Sequence, residues 1–386
     1  MSPITDPKPF LDLPDIPVHV CVMWPTREAA LAAPRGDIQM VLEPGTDMAR
    51  NRQFDESLLA YGEGYENSLG FSEFFQGYIQ GFARDLVARH HLVGKHVIEV
   101  GCGDGEFLEL MVAEGAASGV GFDPSYPPGL PTERAEGRIQ IHREAFPPAG
   151  GPWHGDADLL VCRQVLEHVP DPLGFLQTIR RGLPAGRPTA VAFEVPNLLP
   201  TLEEQTSWDI IYEHCTYFTV GSLARLLAQA GFRVTSAHET YERQFITVEA
   251  TTDERVADRS AEMDDHDGLH AAAHHFDEAW NKRLADWQAR LAQYRDAGRS
   301  VAIWGTGARG INFLNLVDRE RVITAAIDIN PRKHGLFAAG TGQCITPPDS
   351  LRELRPDVVI IMNGIYENEI RASLAEMGLH PEIRIA

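Results

Sequence analysis

Glu99 and Asp123 flank a glycine-rich turn, Gly101-Cys-Gly103-Asp-Gly105, and together these residue types suit one kind of ligand. A carboxylate at a strand end repels phosphate but suits a cation. The G-x-G-x-G spacing also differs from the G-x-G-x-x-G of a pyrophosphate-binding turn. Asp123, about twenty residues past the turn, closes the next apolar strand, where an acid can accept hydrogen bonds from both hydroxyls of a ribose. A second set of groups follows. His168 ends Arg163-Gln-Val-Leu-Glu-His168, and Tyr212-Glu213-His214 lies in the densest polar-aromatic cluster, Trp208–Thr219. Imidazole near neutral pH is a general base, and Glu213 beside His214 can set its tautomer or raise its basicity. For His168, chemistry and a structural role at a helix start both stand. Tyr61 and Tyr65, in a glycine-flanked loop, line a cleft or fill a core.

The surrounding pattern supplies the elements that position these groups. Val97, Ile98 and Val100 form a short apolar run before the turn, and Phe107, Leu108 and Met111 follow at helical spacing. This predicts a buried parallel strand, a tight loop and a helix, the opening unit of a doubly wound α/β sheet. Further strands are predicted at 119–123, 156–162, 190–195, 233–236 and 245–250. A helical pattern containing Phe74, Phe75, Tyr78, Ile79 and Phe82 precedes the first strand. Thr219 reads as the N-cap of a helix over 222–231. Residues 1–60 form a small irregular module with a few short strands. The doubly wound sheet is placed at 61–252, and an acidic linker with a long amphipathic helix at 253–298. The latter carries Phe276, Trp280, Leu284, Trp287, Leu291 and Tyr294. His266, His270, His274 and His275 near its start read as solvated. Residues 299–386 form a second α/β unit whose Gly305-Thr-Gly-Ala-Arg-Gly310 fits the dinucleotide fingerprint, with Asp328 after the next strand. At about ninety residues it is a half-Rossmann unit whose helix N-terminus can hold a substrate phosphate or serve only in packing.

With 386 residues the chain has room for two domains and a small third. A net charge of −21 argues against a sequence-independent grip on nucleic acid. The five cysteines are scattered and never form C-x-x-C, which favours a reducing compartment and no metal site. No segment approaches membrane-spanning length and no signal-peptide pattern opens the chain, so a soluble, cytoplasmic protein is expected. An amphipathic helix with two tryptophans leaves the oligomeric state open.

The run Glu99-Val-Gly-Cys-Gly-Asp-Gly105 resembles the first motif of the class I S-adenosylmethionine-dependent methyltransferases. That cofactor has no phosphate and carries an ammonium and a sulfonium. Across nearly the whole chain the order Y-x-x-x-Y-x-x-S, E-V-G-C-G-D-G, L-E-H-V-P-D-P, E-V-P-N, Y-E-H-C-T-Y-F-T, G-T-G-A-R-G and I-D-I-N-P-R-K-H-G resembles the sugar C-methyltransferase family. The resemblance implies a class I methyltransferase sheet, a C-terminal Rossmann-like domain and a small N-terminal module. It implies S-adenosylmethionine as cofactor, held by Glu99, Gly101, Gly103, Asp123 and Arg163. The implied acceptor is a nucleotide-linked 4-keto deoxysugar. His214 and His168 match the family's catalytic histidines, and Glu213, Tyr212 and Tyr65 line the same pocket. His214 is then the base that makes an enolate, with Tyr212 and His168 stabilising its oxygen.

Three departures stand out. The N-terminal module holds only Cys21, so the family's four-cysteine zinc site cannot form and no zinc is expected. The usual H-E-H is shortened to Tyr212-Glu213-His214. Arg243-Gln244-Phe245 replaces an expected glycine-glycine-serine turn, which opens the acceptor to change. The competing readings are an O- or N-methyltransferase of another small natural product, a nucleotide-binding protein with relic loops, and a dehydrogenase using the second glycine loop.

Overall fold

A computed structural model describes residues 7–59, 68–184 and 186–386. Tyr61 and Tyr65 lie outside the described residues. The N-terminal module is an antiparallel sheet of β1 (Leu11–Pro17), β2 (Arg35–Leu42) and β3 (Ala49–Asn51), completed by Thr216–Tyr217. Thr216 pairs with Arg50 and Tyr217 with Ala49. The polar-aromatic segment is therefore stitched into the first sixty residues.

Next come α1 (Glu73–Arg89), β4 (His96–Val100), α2 (Glu106–Ala113), β5 (Ser118–Phe122), β6 (Ile139–His142) and β7 (Leu159–Arg163). They are followed by α3 (Pro172–Gly182), β8 (Ala190–Pro196), α4 (Val220–Gln229), β9 (Arg233–Thr240) and β10 (Phe245–Thr251). The strand order is β9-β10-β8-β7-β4-β5-β6, with the short Glu133–Arg134 at the edge. β6, β5, β4, β7 and β8 run parallel, and β10 is antiparallel to both neighbours. The chain builds outward from β4 through β5 to β6, then returns through β7 to β8. The order reverses between β4 and β7, and such switch points open a crevice at the carboxyl ends of the strands. Glu99, Asp123, Arg163 and Glu194 all sit at those ends. The helix starts are locally specified. Asp171 accepts the Gly174 N–H ahead of Pro172, and Thr219 and Ser222 form a capping box that starts α4 slightly before the expected position.

α5 (His266–Asp296) leads to the C-terminal sheet of β11 (Val301–Trp304), β12 (Ile323–Ile327), β13 (Val358–Ile361) and β14 (Glu382–Ile385), with α6 (Ala308–Leu316) after β11 and α7 (Glu367–Glu376) before β14. The order is Ile345–Thr346, β12, β11, β13, β14, all parallel. α5 buries Leu269, Phe276, Trp280, Trp287, Leu291 and Tyr294 within its own chain. Phe276 packs edge-on against Phe10, Trp280 against Trp208, and Trp287 against Phe313. One continuous apolar core thus joins the N-terminal module, α5 and the C-terminal sheet, while the large sheet keeps separate cores on its two faces.

Candidate functional site

β4 is apolar and β-branched until Glu99, and the chain must then turn under β7. Gly101 adopts φ +71°, and a Cβ there would lie 2.2 Å from Val165 Cγ2, so only glycine fits. Gly103 donates its N–H to Asp123 Oδ2 at 2.8 Å. Asp123 Oδ1 accepts the N–H and hydroxyl of Ser125 at 2.8 and 2.6 Å. A carboxylate offers about four acceptor directions. Asp123 accepts three hydrogen bonds from Gly103 and Ser125, and its remaining acceptor direction is open to a ribose hydroxyl. Glu99 is 3% exposed, and its Oε2 finds no partner among the described residues. Burial pushes this carboxyl up to about 8; Arg163 pulls it down, and Asp104 and Asp123 push it further up. A buried, orphaned carboxylate oxygen at a switch point fits an ammonium, and the glycines beside it allow close approach. The residues therefore fit the amino-acid end of S-adenosylmethionine.

Arg163 does not extend into this crevice as a free cation. Its Nε and Nη2 donate to Glu194 Oε1 at 3.0 and 2.8 Å, and its guanidinium lies 4.6 Å from the Phe107 ring centre. The Tyr78 hydroxyl donates to the other oxygen of Glu194. Arg163 reaches the cofactor side through its charge on Glu99. Glu194, fully buried and unassigned from the sequence, holds it in place.

The structure brings His168 and His214 together, with ring centres 4.7 Å apart and planes at 85°. His168 Nδ1 lies 3.0 Å from the Glu213 carbonyl oxygen, which makes it the N–H donor. Burial lowers the pKa of His168, against the pull of Glu213. Burial and the neighbouring His168 place His214 well below the ordinary imidazole value. Both rings are neutral near pH 7, as a base requires.

The expected helpers lie elsewhere. The Glu213 side chain turns into the N-terminal module, where Oε2 accepts the Val20 N–H at 3.1 Å and Oε1 lies 3.9 Å from His19 Nδ1. Its carboxylate therefore does not face His214. The Tyr212 hydroxyl accepts the Asp55 N–H at 2.8 Å and donates to the Asp55 carbonyl at 3.5 Å, and its ring packs tilted against Phe54, so its hydroxyl is engaged with the N-terminal module. The carboxyl group that does meet the pair is Glu167: one of its oxygens and one nitrogen of each histidine all lie within 4.8 Å of one another. The sequence shows two Glu-His dipeptides, and adjacency along the chain does not reveal which carboxylate shares a cavity with the rings.

Two other expectations change in detail. His266 and His270 are only half-exposed, and they bond to Asp47 at 2.8 and 3.1 Å, beside Arg225 at 2.8 Å. Burial opposes ionisation of Asp47, yet these partners hold it below the usual carboxylate value. His274 and His275 are exposed. At the second glycine loop, Asp328 accepts the Thr306 N–H and hydroxyl at 2.9 and 2.8 Å, the Asn330 N–H at 2.9 Å and Lys333 Nζ at 3.1 Å.

Residues 75–237 match the sequence family described as a methyltransferase domain, and residues 232–380 match the C-methyltransferase C-terminal domain. The ubiquinone biosynthesis O-methyltransferase of Escherichia coli O127:H6 is 34% identical over 84 residues, 21% of this chain and 35% of that protein. Its namesake in Vibrio cholerae is 34% identical over 98 residues, 22% of this chain and 37% of that one. The chain thus spans about a third of the length of these curated relatives. Among solved structures, magnesium protoporphyrin IX methyltransferase from Synechocystis PCC 6803 is 19% identical, covering 50% of this chain and 91% of its own, with a TM-score of 0.36. The 1,6-didemethyltoxoflavin-N1-methyltransferase of Burkholderia thailandensis is 16% identical, covering 56% and 95%, also at 0.36.

Proposed function

We propose that this chain, which joins a methyltransferase domain to a C-methyltransferase C-terminal domain, methylates a carbon beside a ketone, with a nucleotide-linked 4-keto deoxysugar as acceptor. The observation that carries the reading is the close His168–His214 pair, each ring only partly exposed. His214 sits on the segment that ties the N-terminal module to the large sheet, and His168 faces it from the turn after β7. Forming a carbon nucleophile needs a base for the C–H next to the carbonyl and donors for the enolate oxygen. His214, whose ring is partly exposed, is the base. His168 faces it edge to face and is oriented by the Glu213 carbonyl through Nδ1–H, so its other nitrogen is an acceptor that positions the acceptor molecule's hydroxyl groups rather than a donor to the enolate oxygen. S-adenosylmethionine supplies an electrophilic methyl group on a sulfonium. Glu99 orients its amino-acid end, and Asp123 takes one ribose hydroxyl.

The reading is tested with S-adenosylmethionine and thymidine-diphosphate 4-keto-6-deoxyglucose in deuterated water, followed by mass spectrometry. Wild-type protein should incorporate deuterium beside the ketone and yield a methylated product. His214→Ala should lose both by at least about 100-fold. Full turnover by a folded His214→Ala protein would overturn the assignment of the base.

A further inference from the structure

We propose that Glu167 is the carboxyl partner of His214, a positioning residue that shares a proton with the imidazole and so sets its strength as a base. Its consequence for turnover rests on the enolate reading above; the proton sharing itself does not.

Glu167 lies in the short turn Leu166–His168 that follows β7 at the ligand-binding edge of the sheet. Its backbone carbonyl accepts the Cys215 thiol at 3.6 Å and the Thr216 hydroxyl at 3.4 Å, which fixes this turn against the segment carrying His214. The side chain is 1% exposed, and its Oε2 finds no partner among the described residues. His214 Nδ1 is likewise buried without a partner among them. Two orphaned polar atoms of complementary type, on side chains whose polar atoms converge within 4.8 Å, form no direct hydrogen bond as they stand, and a small rotation of either side chain lets them share a proton. A buried carboxyl left with no proton and no donor costs about 1–3 kcal/mol or more, so the site must place a proton there.

The other titratable groups around Glu167 do not supply it. Burial keeps the proton on Cys162 of β7, and on the facing segment the Cys215 thiol donates to the Glu167 backbone carbonyl and the Tyr217 hydroxyl to the Ile211 carbonyl. Glu194 at the end of β8 is tied to Arg163, and Glu213 points to Val20. The two imidazoles remain. Burial, helped by Glu194, pushes Glu167 up to about 8, so near pH 7 the carboxyl carries the proton and both rings are neutral. As the pH rises through about 8 the carboxylate forms beside His214, and an imidazolium there gains a counter-charge. In the reaction the substrate C–H bond breaks and its proton goes to His214; the C–H electron pair forms the C=C bond of the enolate while the carbonyl π pair moves onto oxygen. The imidazolium shares its N–H with Glu167. The logic is that of a base oriented and stabilised by a third group.

The test has a substrate-free arm and a turnover arm. In wild-type protein labelled with 15N-histidine and 13C-glutamate, the His214 ring and the Glu167 carboxyl should titrate together in a step near pH 8, without any acceptor present. In Glu167→Gln the step in His214 should vanish. Independent titration of the two groups, or an unchanged His214 profile in the variant, overturns the proposal, and the wild-type spectra decide it if the variant fails to fold. With thymidine-diphosphate 4-keto-6-deoxyglucose, wild-type deuterium exchange should rise with pH to a plateau above about 8. Glu167→Gln should be about 100-fold slower and lack that limb, while binding S-adenosylmethionine normally. Absence of exchange in wild type would instead remove the enolate reading and leave the titration result standing. Loss of exchange on EDTA treatment, with recovery on added Mn2+, would overturn the proposal by making the trio a cation site.

Discussion

The chain contains two strand–glycine-loop–helix units, and their strand-end acids have opposite fates. After β4, Glu99 keeps an oxygen with no protein partner, and a Cβ on Gly103 would meet nothing within 4 Å among the described residues. After β11, the loop folds onto itself: a Cβ on Gly310 would lie 2.0 Å from the Gly305 carbonyl oxygen. Asp328, in the position of a ribose-binding acid, is bonded by Thr306, Asn330 and the buried Lys333. Lys333 and its neighbours hold Asp328 below its ordinary value despite burial. The second loop matches the dinucleotide spacing better, yet its acid is already satisfied. The first loop departs from that spacing and holds the unmet polar atom. Glycine spacing specifies a turn; an orphaned partner specifies a ligand.

The contrast can be broken at several points. Asp328→Asn should have the largest effect, about 3–5 kcal/mol lost in chemical denaturation, because it leaves Lys333 charged and buried without its partner. A loss below about 1 kcal/mol would mean that the second loop is not held by this pair. Glu99→Gln should weaken S-adenosylmethionine binding by about 10- to 100-fold in calorimetry, the worth of a charge-assisted hydrogen bond of roughly 1.5–3 kcal/mol. The pH dependence sharpens this. Glu99 in the free protein is protonated below about 8, and an ammonium binds its ionised form. Binding at pH 7 should therefore release a proton, and affinity should climb with pH up to about 8. In Glu99→Gln that slope should be flat; an equal slope in both proteins would assign it to another group. Thr306→Val should have the smallest effect, about 1.5 kcal/mol of stability from one hydroxyl on a carboxylate, with cofactor affinity unchanged. NAD should not raise the melting temperature of wild-type protein, and protection by NAD would erase the difference between the loops.

Much of the architecture was legible in the residues. The apolar runs before Gly101 and Gly305 marked the two central strands, and the three-and-four spacing from Phe276 to Tyr294 marked α5, because burial of a face imposes its period on the sequence. The strand-end acids Glu99 and Asp123 were readable for the same reason, since strand ends of a doubly wound sheet converge by topology. The histidines His168 and His214 were singled out by residue type and by the motifs around them. Their company was not. Glu213 and Tyr212 adjoin His214 in sequence, yet β3 pairs with Thr216–Tyr217 and draws the side chains of both into the N-terminal module. Likewise, only folding shows that His266 and His270 meet Asp47 from more than two hundred residues away.

The sequence by itself determined the main elements, the doubly wound class and the acids at the strand ends, because periodicity and turn chemistry act over a few residues. Tertiary structure alone decided which polar atoms are satisfied: Asp328 by Lys333, one Glu213 oxygen by Val20 and Tyr212 by Asp55, while Glu99 and Glu167 each keep an oxygen without a partner among the described residues. Hydrogen-bond satisfaction depends on what the rest of the chain brings within about 3 Å, and no local pattern encodes that.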